Sequence, residues 1–219
     1  MEECLSWKLG LKAETLPVFE KVSQMDCVKG LFLCGGTAQS IQMQHRLSED
    51  LDFELIGVKR ERPQLNFSQI ISEVTSMYPD SRKEILSQSH FQMYVEGNVK
   101  LSFFRPSNPV PILGEGFRHG NIVAPSLQEL LGMKLFTITV RSEFRDFYDI
   151  YSLLQAGYDL KRGIDYACRF SRHNLHSKYI YSLLLNAAYF NKTAEFGLLQ
   201  PRFDVTPADI VAYIKTLLV

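Results

Sequence analysis

A glycine pair, Gly35-Gly36, terminates the short apolar run Gly30-Leu31-Phe32-Leu33-Cys34. An apolar run that stops at glycines reads as a buried strand entering a turn. Thr37 to His45 then carries helical spacing, with Ala38, Ile41 and His45 on one stripe and Gln39, Gln42 and Gln44 between them. Next comes Asp50-Leu51-Asp52-Phe53-Glu54-Leu55-Ile56, whose strict alternation sets Leu51, Phe53 and Leu55 on one face of a strand. Asp50, Asp52 and Glu54 take the other face. Glycine turn, helix and acid-faced strand thus fall within 18 residues, Gly35 to Asp52.

The bounds around this stretch are broad. The chain has 219 residues, enough for one domain or one domain with a helical extension. It is 46% apolar and 22% charged, so it can bury a core, and disordered and fibrous classes are excluded. Lys and Arg number 24 against 24 Asp and Glu, which excludes a highly basic nucleic-acid binder but leaves room for a local patch. No apolar run reaches the roughly 20 residues that span a bilayer, and the N-terminal MEECLSWKLG is acidic rather than signal-like. The expectation is a soluble, cytoplasmic protein. The four cysteines (Cys4, Cys27, Cys34, Cys168) are scattered and read as thiols of a reducing compartment. His173 and His176, with no cysteine nearby, read as a solvated helix face rather than a zinc site.

Elsewhere, Lys12 to Met25 makes a helix with Leu16, Phe19 and Val22 on one stripe, and Asn66 to Met77 makes another. Phe91 to Glu96 and Val99 to Phe104 alternate around Gly97-Asn98, the signature of a hairpin. Pro106, Pro109, Pro111, Gly114, Gly116 and Gly120 mark a long irregular connection. The remainder is helical. Ser126 and Glu129 have capping-box spacing ahead of a helix from Leu127 to Val140. Further helices cover Arg145 to Leu154, Ile164 to Arg172 and Lys178 to Phe190, and a last one opens at Thr206-Pro207. The expected class is α+β. Residues 1–124 form a small mixed sheet flanked by helices, and residues 125–219 form a helical domain.

The residue types in the glycine–acid stretch have a shared chemical logic. Glycines let phosphate approach the backbone, and a helix start offers unpaired N–H groups with a favourable dipole. Thr37 adds a hydroxyl there. Two aspartates at i and i+2 of a strand project together and can share a hard divalent cation such as Mg²⁺. Such an ion bridges to nucleotide phosphates and orients an in-line attack.

Cys34-Gly35-Gly36-Thr37-Ala38 followed by His45-Arg46-Leu47-Ser48-Glu49-Asp50-Leu51-Asp52-Phe53 resembles the first motif of the AbiEii/AbiGii nucleotidyltransferase toxin family, within the DNA polymerase β-like nucleotidyltransferases. Lys134-Leu135-Phe136, then Arg141, then Arg145-Asp146-Phe147-Tyr148-Asp149-Ile150-Tyr151, is similar to that family's late K…R-x-x-x-R-D-x-x-D-x-Y segment. The resemblance implies a Mg²⁺-dependent transferase that moves a nucleotidyl group from a nucleoside triphosphate to RNA, foremost tRNA. It also implies a toxin role beside a cognate antitoxin. Gly35, Gly36 and Thr37 would hold the triphosphate, and Asp50 and Asp52 the metal. Lys134 would neutralise phosphate charge, Asp146 matches the late acidic residue, and Arg46 and Ser48 could touch phosphate or base.

Three points stay open on the residues alone. Lys134, Arg141 and Arg145 could share one helical face, and Asp146 and Asp149 could simply pair with the arginines and hold the helices together. The third carboxylate usual in polymerase β-like enzymes falls on Val99-Lys100-Leu101-Ser102-Phe103-Phe104, which offers Ser102. Glu54 or Asp146 could supply the missing group. The substrate could also supply it, or catalysis is slow, or the chain is a nucleotide-binding module with a degenerate site that acts through a protein partner. Between Lys161 and Lys178 stand five basic residues (Lys161, Arg162, Arg169, Arg172, Lys178) against one acid, Asp165, a net +4. That cluster suits RNA phosphates or a solvated face balancing the acids of residues 49–54 equally well.

Overall fold

The computed structural model describes residues 3–55, 65–105, 112, 114–171 and 175–218. Met1, Glu2, the side chain of Cys4, Ile56, Pro106, Pro109, Pro111, Arg172 and His173 lie outside the described residues. Two compact units divide the chain, Met1–Ser126 and Leu127–Val219.

In the first unit, alternation becomes a sheet. Its strands are β1 (Phe32–Cys34), β2 (Leu51–Glu54), β3 (Arg82–Ser87), β4 (His90–Tyr94), β5 (Lys100–Phe104), β6 (Glu115–His119) and β7 (Ile122–Pro125). They pair in the order β3-β4-β5-β2-β1-β7-β6. The sheet is mixed: β2 runs antiparallel to β1 but parallel to β5, and β1 runs parallel to β7. Among the described residues this unit carries the α-helices α1 (Thr15–Val22), α2 (Gly35–Met43) and α3 (Phe67–Met77). The expected α+β class with a mixed sheet is therefore the observed one.

The apolar face is organised by aromatic register. Phe53 pairs with Phe103, and Phe103 with Phe91, across β2, β5 and β4. Their rings stack at 5.4 and 5.1 Å between centroids. Phe67 of α3 closes on Phe91 at 4.5 Å, and Phe53, Phe91 and Phe103 are fully buried. Such ring pairs contribute about 0.5–1.5 kcal/mol each beyond the area they bury, so α3 and three strands are locked in one register.

Local signals explain the element ends. Asn66 caps α3 by accepting from the Gln69 amide. Gly97 (φ 69°) and Asn98 (φ 59°) carry the left-handed turn between β4 and β5. α1 is shorter than the periodicity suggested, and it buries Val18 in place of Leu16. The connection expected to be irregular contains the β6–β7 hairpin instead. Gly116 opens a register shift in it; a side chain there would meet the Pro125 carbonyl and the Gln42 side chain.

The second unit is helical: α4 (Leu127–Thr137), α5 (Phe144–Gln155), α6 (Leu160–Phe170), α7 (Ser177–Leu184) and α8 (Pro207–Thr216). α4 and α6 approach closely because each presents a glycine to the other. A Cβ on Gly132 would stand 2.6 Å from Tyr166 Cβ, and one on Gly163 would stand 2.8 Å from Leu131. The Tyr166 hydroxyl donates to Glu129 Oε1 at 3.0 Å beneath this crossing. Thr206 and Asp209 form a reciprocal capping box at the start of α8. Among the described residues no helix is long and apolar enough to cross a membrane.

Candidate active site

The register of β1, β2 and β5 assembles the glycine–acid constellation. Antiparallel pairing sets Cys34 opposite Asp52, and parallel pairing sets Ser102 on Asp52's other side. Paired residues share a face, so Cys34, Asp52 and Ser102 form one row on the side away from the phenylalanine stack. Gln92 of β4 extends that row. Residue 35 follows Cys34 directly, and this delivers the start of α2 to the Asp52 carboxylate. The two glycines are the first residues of α2 rather than a turn before it.

Gly35 adopts φ 68°, and a Cβ there would stand 3.0 Å from Asp52 Oδ2. Glycine is needed on both counts: left-handed backbone disfavours a side chain, and the carboxylate fills the place one would take. A side chain on Gly36 would collide with the Arg46 guanidinium. Arg46 is only 5% exposed, and its Nη1 donates to the Leu47 carbonyl at 2.9 Å. A helix N-terminus, a guanidinium and a carboxylate thus meet around two Cα atoms without side chains.

Thr37 is buried, and its hydroxyl is committed to the loop that leads into β2. It donates to the Asp50 carbonyl and lies 2.7 Å from the Ser48 hydroxyl. Ser48 is clamped in turn: its N–H donates to the Gly10 carbonyl, and its carbonyl accepts from the Lys12 N–H. Thr37 and Ser48 therefore fix the loop that carries Asp50. Asp50 itself immediately precedes β2, and its Oδ2 receives Lys100 Nζ at 2.8 Å. Lys100 is a site residue that motif reading passed over. The signal was present, since alternation in β5 puts it on the face of Ser102.

Deeper on the same face lies Glu54, 4% exposed. Burial pushes its carboxyl up to about 7, against a hydrogen bond from the Cys34 thiol. Burial also drives the Cys34 thiol well above its ordinary range, with the charges of Glu54 and Asp52 adding to the effect. His90 of β4 falls below the usual imidazole value through burial, opposed by the charge of Asp52 and reinforced by Lys100.

The second unit carries its own constellation. Lys134 Nζ, on α4, is held by Asp146 Oδ1 and Asp149 Oδ2, each at 2.7 Å. Both carboxylates, on α5, are fully buried, and Lys134 is 4% exposed. Arg141 grips Asp146 from the α4–α5 connection through Nε at 2.7 Å and Nη2 at 3.0 Å. Burial opposes the Asp146 charge, but the Lys134 ammonium and the Arg141 guanidinium outweigh it and hold that carboxyl below its ordinary value. Lys134, Arg141 and Arg145 do not share one helical face, because the chain turns between α4 and α5. Arg145 pairs with Glu143 at 2.6 Å instead.

The family model for the nucleotidyl transferase AbiEii toxin of type IV toxin–antitoxin systems matches residues 23–207. The chain belongs to the AbiEii nucleotidyltransferase toxin family. It is a nucleotidyltransferase toxin of a toxin–antitoxin system by that membership, and the matched span covers both constellations. An uncharacterized protein of Aquifex aeolicus is 31% identical over 153 residues, 69% of this chain and 71% of that one. Among solved structures, JHP933 from Helicobacter pylori superposes with a TM-score of 0.57 at 16% identity, covering 94% of this chain and 93% of that one. MenT4, a nucleotidyltransferase toxin from Mycobacterium tuberculosis H37Rv, gives 0.52 at 17% identity, covering 96% and 87%. At such identities these likenesses show the fold alone.

Proposed function

We propose that the protein transfers a nucleotidyl group from a ribonucleoside triphosphate to an RNA acceptor, a tRNA 3′ end, with Mg²⁺ bound by Asp50 and Asp52. The observation that carries this reading is the approach of Gly35 to Asp52, which sets an anion-binding helix start against a cation-binding carboxylate. Among the described residues no group of three or more acidic, histidine or cysteine side chains is arranged to hold a metal. Mg²⁺ needs no such group, since it characteristically takes one or two carboxylates and completes its shell with water and substrate phosphates. The oxygen-only pair Asp50 and Asp52 fits it, and the Lys100 ammonium on Asp50 already stands where positive charge is favoured. Bound Mg²⁺ supplies charge neutralisation at the transferring phosphoryl group.

Gly35 and Gly36 admit the phosphates to the N–H groups of α2, and Arg46 lends them positive charge. Thr37 and Ser48 hold the loop that aims Asp50. In the helical unit, Lys134, Asp146 and Asp149 form a buried ion cluster that joins α4 to α5. The acceptor hydroxyl oxygen bonds to the α-phosphorus, the bond from that phosphorus to the bridging oxygen breaks, pyrophosphate leaves, and the hydroxyl proton passes to solvent.

The test is Asp52→Ala, scored by incorporation of α-labelled nucleotide into bulk RNA and by growth inhibition. Both should be abolished while circular dichroism and melting stay close to wild type; undiminished incorporation refutes the assignment. A second reading draws on Ser102, buried beside Asp52 where a third carboxylate would complete the site. A nucleotide-binding module acting through a protein partner would bind triphosphate with Mg²⁺ yet incorporate no label.

A further inference from the structure

We propose that the outer faces of α6 and the first turn of α7 form the surface that binds the phosphate backbone of the RNA acceptor, with Tyr179 stacking on an unpaired base. This rests on the RNA-transferase reading and names the surface that the reading requires. α6 is sharply two-sided. Leu160, Ile164, Ala167 and Phe170 are buried, while Lys161, Arg162, Asp165 and Arg169 are exposed. Lys161 and Arg169 lie eight residues apart, about 12 Å along the axis. His176, Lys178 and Tyr179 are exposed at the start of α7.

The sequence left this cluster divided between RNA contact and a solvated face balanced by the acids of residues 49–54. Two of those acids have cationic partners in their own unit: Glu49 takes Lys12, and Asp50 takes Lys100. In the helical unit, Lys134 and Lys192 are likewise paired with carboxylates. Among the described residues, by contrast, no carboxylate lies within ion-pair distance of Lys161, Arg162 or Lys178. Even Asp165, one turn from Lys161, forms no ion pair with it. With Lys161, Arg162, Arg169 and Lys178 against Asp165, the described patch carries a net charge of +3.

A surface of this kind suits a polyanion whose charges repeat along a line. Tyr179 is 47% exposed and follows the exposed Lys178 in the first turn of α7, and an exposed ring is what single-stranded nucleic acid uses, since every base offers a face to stack on. An acidic protein would also satisfy the charge, and dependence of binding on bases that can stack on the ring separates the two. α6 is also a firm support, because Gly163 seats it directly on Leu131 and Leu135 of α4.

The test compares wild type with Lys161→Gln/Arg162→Gln/Lys178→Gln and with Tyr179→Ala, all as full chains checked by circular dichroism. Binding of a fluorescein-labelled single-stranded 20-nucleotide RNA is followed by anisotropy across a salt series, alongside incorporation of labelled nucleotide. Each lost phosphate contact on a single strand lowers the log–log salt slope by about 0.7, so the triple variant should lose about 2. Its KM for RNA should rise while its KM for triphosphate stays put. Tyr179→Ala should weaken RNA binding at an unchanged slope. A triple variant with the wild-type slope and wild-type KM for RNA overturns the surface while leaving the transferase reading intact. Wild type that incorporates no label into any RNA overturns the reading itself. Wild type that binds polyglutamate as tightly as RNA, through the same three cations and without Tyr179, overturns RNA in favour of an acidic protein partner.

Discussion

Glu54 sits two residues beyond Asp52 and is almost wholly buried. Burial lifts its carboxyl to about 7, from about 4.3 in an unfolded chain. At about 1.4 kcal/mol per pH unit, that gap amounts to about 3–4 kcal/mol. Between pH 4.3 and 7 the folded protein keeps a proton that the unfolded chain has released, so stability falls as pH rises through this window and levels off above it. Glu54→Gln retains the shape and cannot ionise. Its stability should match wild type near pH 4 and exceed it by about 3 kcal/mol at pH 8.5, the full size of the penalty. Urea midpoints measured every half unit from pH 4 to 8.5 provide the comparison. Parallel curves for the two proteins would mean that Glu54 titrates normally and that water reaches it, which would refute the buried-acid account of this face.

The helical unit offers an effect of opposite sign. The depressed Asp146 carboxyl contributes stability above its unfolded value of about 3.9, and this is lost as pH falls below about 4; Asp146→Asn should flatten the acid limb of a melting-temperature profile. Lys134→Met leaves Asp149 buried without its ammonium, and urea unfolding should register a loss of about 3–5 kcal/mol. Gly163→Ala forces a methyl group into Leu131 and Leu135, for which thermal melts should report about 1–3 kcal/mol of destabilisation. Thr206→Ala removes the α8 cap and should cost about 1 kcal/mol in the same assay.

The elements that read correctly from sequence carry their own punctuation. Thr206-Pro207 starts α8 and Gly97-Asn98 turns β4 into β5, each through contacts between near neighbours. β3 escaped because it lies at the sheet edge with all six residues exposed, so no burial pattern marks it. The β6–β7 hairpin hid among glycines and prolines that looked like loop, although Gly116 is there to clear Pro125 and Gln42. In the candidate site, the i and i+2 spacing of Asp50 and Asp52 was legible. The approach of Asp52 to Gly35 was not, because it depends on strand pairing. The Lys134 cluster was half legible: the pairing of Arg141 with Asp146 was among the readings, and the helical-face reading of Lys134, Arg141 and Arg145 was not met. Spacings of seven and four suggest one helix, yet the cation on α4 meets acids on α5 only after the chain reverses.

β2 is read from two sides. Its odd positions, Leu51 and Phe53, interlock with neighbouring strands, while the even positions 50, 52 and 54 belong to the opposite face, that of the candidate site. The frame is thus decoupled from the reagents it displays. A library that diversifies residues 50, 52 and 100 while freezing 51, 53, 54, 101, 102 and 103 would vary the half-exposed positions of that row and leave their buried supports in place.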